Sequence, residues 1–215
     1  MSRPKKICAV IILPVIQDEG AGRRVPDVRK VARQHQDLSL AQVKKLLVSS
    51  IHEERLCALL ILVAKFSKGD TAEQKAVYDF YLSNLKGVNN WDLVDLSADK
   101  VVGAYLLDRS KKPLYRLVRS KVLWERRIAI IATFHFIKHD EFEDSVALAE
   151  KLLDDDHDLI HKAVGWMLRE IGKRNLKAEE TFLKKHYHAM PRTMLRYAIE
   201  RFPETKRQRY LKGRV

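Results

Sequence analysis

Cysteine is nearly missing: Cys8 and Cys57 are the only two in 215 residues, and they do not form a Cys-x-x-Cys pair. Neither a disulfide framework nor a cysteine-based zinc or iron–sulfur centre is available, and the expected compartment is a reducing cytoplasm. Glycine is scarce as well, with eight residues dispersed along the chain. No Gly-rich loop exists to cradle a phosphate, which argues against nucleotide hydrolysis. The one apolar segment that suggests export, Ile7–Ile16 behind Arg3, Lys5 and Lys6, is too short to span a bilayer. Pro14 interrupts it, and Gln17-Asp18-Glu19-Gly20 follows where a small-x-small cleavage site would stand.

Acid is in deficit too. Asp and Glu number 28 against 41 Lys and Arg, a net charge of +13. A field of that sign points to a polyanionic partner. It draws in any phosphate backbone by counterion release, and says nothing by itself about chemistry; the bland alternative is a protein that is merely basic and soluble. Hydrophobic residues make up 46%, enough to fill the core of one domain of this length, so disorder is not expected.

What is present from Val25 onward is helical periodicity, with turn residues confined to short breaks. The pattern predicts helices near 26–35, 40–48, 51–67, 72–85, 91–96, 98–108, 113–119, 122–138, 141–153, 157–173, 177–188 and 191–202, and no strand. Ser50-x-x-Glu53 and Thr71-x-x-Gln74 read as capping boxes, and Pro113 and Pro191 as first helical residues. Aligning Glu54-Arg55-Leu56, Arg126-Arg127-Ile128, His161-Lys162-Ala163 and Leu195-Arg196-Tyr197 puts a basic residue at 55, 127, 162 and 196, in steps of 72, 35 and 34. Half of 72 falls at Trp91. A period near 36 belongs to helix-pair solenoids, in which equivalent positions form a continuous stripe. The expected architecture is therefore an all-α superhelical solenoid of HEAT-like repeats with a concave basic groove. Arg55, Arg127, Lys162 and Arg196 would track a phosphate backbone along that groove.

Trp91 and Asp95 are four apart and share a helix face, as do Lys162 and Trp166. A carboxylate among cations is held ionised. That makes Asp95 a poor general acid, and a good stabiliser of positive charge developing beside it. Cleavage of an N-glycosidic bond passes through an oxocarbenium-like sugar, and ordinary glycosidases need a second carboxyl to protonate the leaving group. A cationic alkylpurine leaves as a neutral base and needs none, so one carboxylate helped by indole faces suffices. Each residue also has an ordinary explanation. Asp95 suits a surface charge or a helix-terminus partner, Trp91 and Trp166 suit core anchors, and Arg127 suits a partner for Glu125 or for an acid on the next repeat. His135-x-x-x-His139 lacks the Glu and third ligand of a metal site, and no metal or small-molecule cofactor is expected. The tail carries Lys206, Arg207, Arg209, Lys212 and Arg214, and reads either as a frayed terminus or as an extra phosphate contact.

The runs Asn89-Asn90-Trp91-Asp92-Leu93-Val94-Asp95, Leu123-Trp124-Glu125-Arg126-Arg127-Ile128-Ala129 and His161-Lys162-Ala163-Val164-Gly165-Trp166-Met167-Leu168-Arg169-Glu170, with Gly22-Arg23-Arg24-Val25-Pro26 and Met190-Pro191-Arg192, resemble the AlkD-type DNA alkylation repair glycosylases over residues 22–203. The resemblance implies a HEAT-like superhelix gripping duplex DNA, and excision of N3- and N7-alkylated purines without flipping them into a closed pocket. It implies that Asp95 is the catalytic aspartate, Trp91 and Trp166 the lesion-facing tryptophans and Arg127 the phosphate-binding arginine. The family usually carries a helical pair before its Gly-x-Arg-Val-Pro run, whereas 21 residues precede Gly22 here, so the first repeat is expected to be incomplete. The expected layout is an atypical 1–21 segment, a repeat domain over 22–203 and a basic tail over 204–215. The leading expectation is a monomeric, monofunctional DNA-alkylpurine glycosylase. Its alternatives are a non-catalytic HEAT-like DNA-binding protein and a protein-interaction scaffold.

Overall fold

The computed structural model describes residues 25–215. The 1–21 segment with its apolar run Ile7–Ile16, and the residues Gly22-Arg23-Arg24, lie outside them. Among the described residues every regular element is helical, and no helix is long and apolar enough to cross a membrane.

One compact unit ends at Val101. It contains α1 (Val25–Gln34), α2 (Leu40–Leu47), α3 (His52–Lys68), α4 (Thr71–Ser83), a 3-10 turn Leu85–Gly87 and α5 (Trp91–Asp95). The central helix is α3, which packs against α1, α2, α4 and α5. It buries Leu56, Cys57, Ala58, Leu59, Ile61 and Leu62, a nearly all-round apolar surface that suits a helix enclosed by neighbours.

The second unit, Val102–Val215, contains α6 (Ala104–Leu106), α7 (Lys112–Leu117), α8 (Leu123–Lys138), α9 (Glu143–Lys151), α10 (Asp158–Arg174), α11 (Leu176–His186), α12 (Arg192–Ala198), a 3-10 turn Ile199–Arg201 and α13 (Glu204–Leu211). Its inner helices are α8, packed on α7, α9 and α10, and α10, packed also on α11 and α12. The run Ile128 to Ala132 and Ile137 on α8, with Ile160, Val164, Leu168 and Ile171 on α10, are fully buried. Each such Ile or Leu contributes roughly 1.5–3 kcal/mol relative to exposure.

Local signals explain most helix ends and correct several expectations. The capping box lies at Ser39: its Oγ accepts the Gln42 N–H at 3.4 Å, and its own N–H donates to Gln42 Oε1 at 2.9 Å. Neither predicted box forms. The residue before α3 is Ile51, without a side-chain cap, and Asp70 caps α4 by accepting the Glu73 N–H at 2.9 Å. The aspartate one position earlier takes the cap of α4, because aspartate accepts from the exposed N–H groups at least as well as threonine. Pro191 precedes α12 instead of opening it. The predicted 98–108 helix forms over 98–106, with a π-helical turn at Asp99–Gly103 that leads into the short α6. The cause is close packing. A Cβ on Gly103 would lie 2.1 Å from the Ala132 carbonyl oxygen and 2.8 Å from His135 Cβ, so the backbone bulges where it meets α8. The tail residues 204–211 form α13, anchored by Tyr210 at 1% exposure.

Candidate nucleic-acid interface

Three of the long helices begin with the same arrangement of hydrogen bonds. Before α3, Ser49 Oγ accepts the Ile51 N–H at 3.0 Å, and Arg55 Nη1 donates to the Ser49 carbonyl at 2.8 Å. Before α8, Ser120 Oγ accepts the Val122 N–H at 3.0 Å, and Arg126 Nη1 donates to the Ser120 carbonyl at 2.9 Å. Before α10, Asp155 Oδ1 accepts the His157 N–H at 3.0 Å, and His161 Nε2 donates to the Asp155 carbonyl. Arg55 is therefore in register with Arg126 and His161, not with Arg127.

Counted from the helix starts, the fifth residues of α3, α5, α8, α10 and α12 are Leu56, Asp95, Arg127, Lys162 and Arg196. The missing step in the basic series is occupied by Asp95 rather than Trp91. The spacing in sequence misplaced both residues because loops of different length and the π-helical turn separate helices that begin alike. Among these five helices Asp95 is thus the one acid, the others carrying cations and a buried leucine.

In the first unit, α5 is held by Leu93 and Val94, both fully buried, and by Asn90, whose Oδ1 accepts the Trp91 N–H at 2.7 Å. Trp91 is 54% exposed, which rules out a core-anchor role. Asp95 stands half-buried one turn along the same helix. The acid that meets His52 is Asp92, with Oδ2 2.7 Å from His52 Nε2. Behind α5, the Ser97 hydroxyl donates to the Leu93 carbonyl at 2.6 Å, leaving Tyr81 to donate to Ser97 Oγ at 2.9 Å. Burial pushes the Tyr81 phenol far above its usual range, and the charges of Asp99 and Asp95 push it further. Tyr81 therefore stays protonated and pins the floor under α5. Arg55 is half-buried, with its Nε enclosed and unbonded.

In the second unit, Arg127 is 4% exposed and donates an Nη1–H to the Leu159 carbonyl. Arg126 forms a two-pronged contact with Asp155, at 2.6 Å through Nε and 3.3 Å through Nη2. Lys162 lies 2.7 Å from Asp158 Oδ2. Their hydrogen bond holds the ammonium above and the carboxyl below the usual values. Arg196 and Tyr197 are exposed side by side on α12. Between α10 and α12 the helices nearly touch at Gly165, where a Cβ would lie 2.4 Å from the Met194 carbonyl oxygen and 2.5 Å from Tyr197 Cβ. Trp166, the next residue, is half-buried. Its Nε1–H donates to Glu170 Oε1 at 3.1 Å, and its ring centroid lies 5.6 Å from that of Phe134.

Sequence reasoning missed Asp158, Glu170 and Tyr197. The first two carried a legible signal, because Asp158 precedes Lys162 and Glu170 follows Trp166 by four residues, the spacing of facing side chains on a helix. Among the described residues no group of three or more His, Cys, Asp or Glu side chains is placed to hold a metal ion. His135 and His139 stack with centroids 4.6 Å apart.

Paired helices, three of them with the same hydrogen-bonded start, and cations and an acid at the fifth position of α5, α8, α10 and α12, define an all-α helical-repeat protein. The chain belongs to the DNA alkylation repair enzyme family, whose model matches residues 7–202. Among solved structures, a predicted DNA alkylation repair enzyme from Enterococcus faecalis is similar at a TM-score of 0.66 and 16% identity, over 92% of this chain and 95% of its own. AlkD2 from Streptococcus mutans is similar at 0.66 and 14%, over 92% and 99%. At that identity these two likenesses speak for the all-α repeat fold. No curated protein matches the sequence.

Proposed function

We propose that this chain is a monofunctional DNA glycosylase that removes cationic N3- and N7-alkylated purines from duplex DNA. The observation that carries the reading is Asp95. Among the fifth residues of α3, α5, α8, α10 and α12 it is the one acid, the others being Leu56, Arg127, Lys162 and Arg196, and it stands one turn from the exposed Trp91. In this reading the cations bind phosphate, and Trp91 and Trp166 offer π faces to the positively charged base. Asp95 stabilises the sugar cation as the glycosidic electron pair leaves with the base. Water then adds to C1′ and loses a proton, giving an abasic site and a neutral purine. No general acid is required, because the leaving group already carries the positive charge. Arg55, which donates to a backbone carbonyl, and the buried Arg127 would each exchange a protein acceptor for a phosphate oxygen on binding.

A second reading is a non-catalytic DNA-binding repeat protein, favoured by one observation: Arg127 is enclosed and occupied within its own unit. Release of 7-methylguanine or 3-methyladenine from methylated duplex, compared between wild type and Asp95→Asn, separates the two. Salt-dependent binding without base release supports the second reading.

A further inference from the structure

We propose that Glu170 is a positioning residue for Trp166, gripping the indole by its N–H so that the ring meets a base only through its π face. The inference deepens the glycosylase reading and rests on it insofar as Trp166 faces the lesion. Glu170 lies one turn along α10 from Trp166, with a side chain only 12% exposed. Its Oε1 accepts the indole N–H at 3.1 Å and lies 2.6 Å from Lys173 Nζ and 3.5 Å from Arg169 Nη2. Arg169 is itself tied to Glu200 on the neighbouring 3-10 turn. The carboxylate is thus fixed from several sides, and through it the edge of the indole. Phe134 on α8 packs against the ring with the planes at 52°, and the Lys138 ammonium lies 4.0 Å above Phe134.

Two consequences follow from the chemistry of indole. Its single donor is spent inside the protein, so Trp166 has no hydrogen bond left to give a base edge or a phosphate. Donating that proton to a carboxylate also shifts electron density into the ring, which deepens the negative potential of its face. A purine that carries a formal positive charge gains from such a face; a neutral purine of the same shape does not. Glu170 therefore tunes Trp166 toward cationic lesions without touching DNA.

The test uses the full chain and the variants Glu170→Leu and Glu170→Gln, the latter keeping an acceptor oxygen without the charge. The first readout is the Trp166 indole N–H resonance and its exchange rate in 15N-labelled protein, with the Trp91 and Trp124 indoles reporting whether the variant is folded. The second is the ratio of affinities for two uncleavable duplexes, one holding cationic 7-methylguanine on a 2′-fluoro sugar and one holding uncharged 7-deaza-7-methylguanine. In Glu170→Leu we expect the Trp166 signal alone to move and exchange faster, and the charged-to-neutral ratio to fall by about three- to tenfold. Glu170→Gln should restore the signal and part of the ratio. An unmoved Trp166 resonance in Glu170→Leu, or an unchanged ratio with both duplexes weakened alike, overturns the proposal. If wild type binds both duplexes but excises nothing from methylated DNA, the glycosylase reading fails while the resonance and the ratio still decide the role of Glu170.

Discussion

Replacing Asp158 with asparagine should tighten DNA binding. Lys162 occupies the fifth position of α10, and its ammonium lies 2.7 Å from the Asp158 carboxylate one turn earlier, with side chains 39% and 54% exposed. In solvent such a pair is weak, so a phosphate competes for Lys162 at a cost of about a factor of two, which the substitution removes. A negative charge also disappears from beside the phosphates, an effect that screening limits to roughly 8 Å at physiological salt. Together these predict an affinity for undamaged duplex about two- to fivefold higher than wild type. Lys162→Met should act in the other direction. It should lower the slope of log K against log salt by about 0.9 and weaken binding about eightfold at 0.1 M salt. Fluorescence anisotropy titrations at several salt concentrations measure both, with thermal melts as a control because Asp158 also supports the first turn of α10. The double variant decides the mechanism, since Asp158→Asn should add little once Lys162 is gone. Binding that is unchanged or weaker in Asp158→Asn, or equally tightened in the Lys162→Met background, refutes the reasoning.

Other outcomes follow from packing and charge. Gly165→Ala places a Cβ against the Met194 carbonyl and Tyr197; α12 must move away from α10, and chemical denaturation should show a loss of about 1–3 kcal/mol. Burial pushes the Glu179 carboxyl up to about 8 from its ordinary 4.5, with Glu180 adding to the rise and Lys206 and Arg169 opposing it. The native state keeps a proton that the unfolded chain releases above pH 4.5, so stability falls as pH rises from there through 8, by a few kcal/mol at ~1.4 per unit. Glu179→Gln should flatten that decline, measured as denaturation midpoints at pH 5 and pH 9, and an equal slope in the variant would contradict it. Trp91→Ala should leave the melting temperature within a few degrees, because the ring is 54% exposed, while lowering single-turnover excision by roughly tenfold, the order expected when a cation loses an aromatic face.

Much of the fold was legible because apolar residues recur at helical spacing. The predicted 51–67 and 122–138 segments match α3 and α8 almost end to end. Short polar signals were read less well. Ser39-x-x-Gln42 forms the real capping box, and Thr71 lost its role to Asp70 because two capping residues stand in a row. The π-helical turn at Asp99–Gly103 depends on how closely Gly103 approaches α8, a tertiary fact without a local pattern. The same holds for the candidate residues. The types of side chain were readable, and so was the pairing of Trp91 with Asp95 on one helix. Their register was not, because it follows from where each helix begins and not from a constant spacing. Arg55 illustrates the point. By spacing it joins Arg127, and by its bond to the Ser49 carbonyl it joins Arg126 and His161. Burial of Arg127 was also beyond the sequence, since its partner is the backbone carbonyl of Leu159.

The most direct test of the function proposed for Asp95 is single-turnover release of 7-methylguanine from a methylated duplex, run with wild type and Asp95→Asn at protein concentrations that saturate the DNA. The carboxylate's task is to stabilise positive charge on the sugar, so the amide variant should bind the duplex with affinity equal to or above that of wild type and release base at least about a hundredfold more slowly, the scale of losing one preorganised electrostatic partner. Equal release by Asp95→Asn, or no release by wild type on saturated DNA, would contradict it.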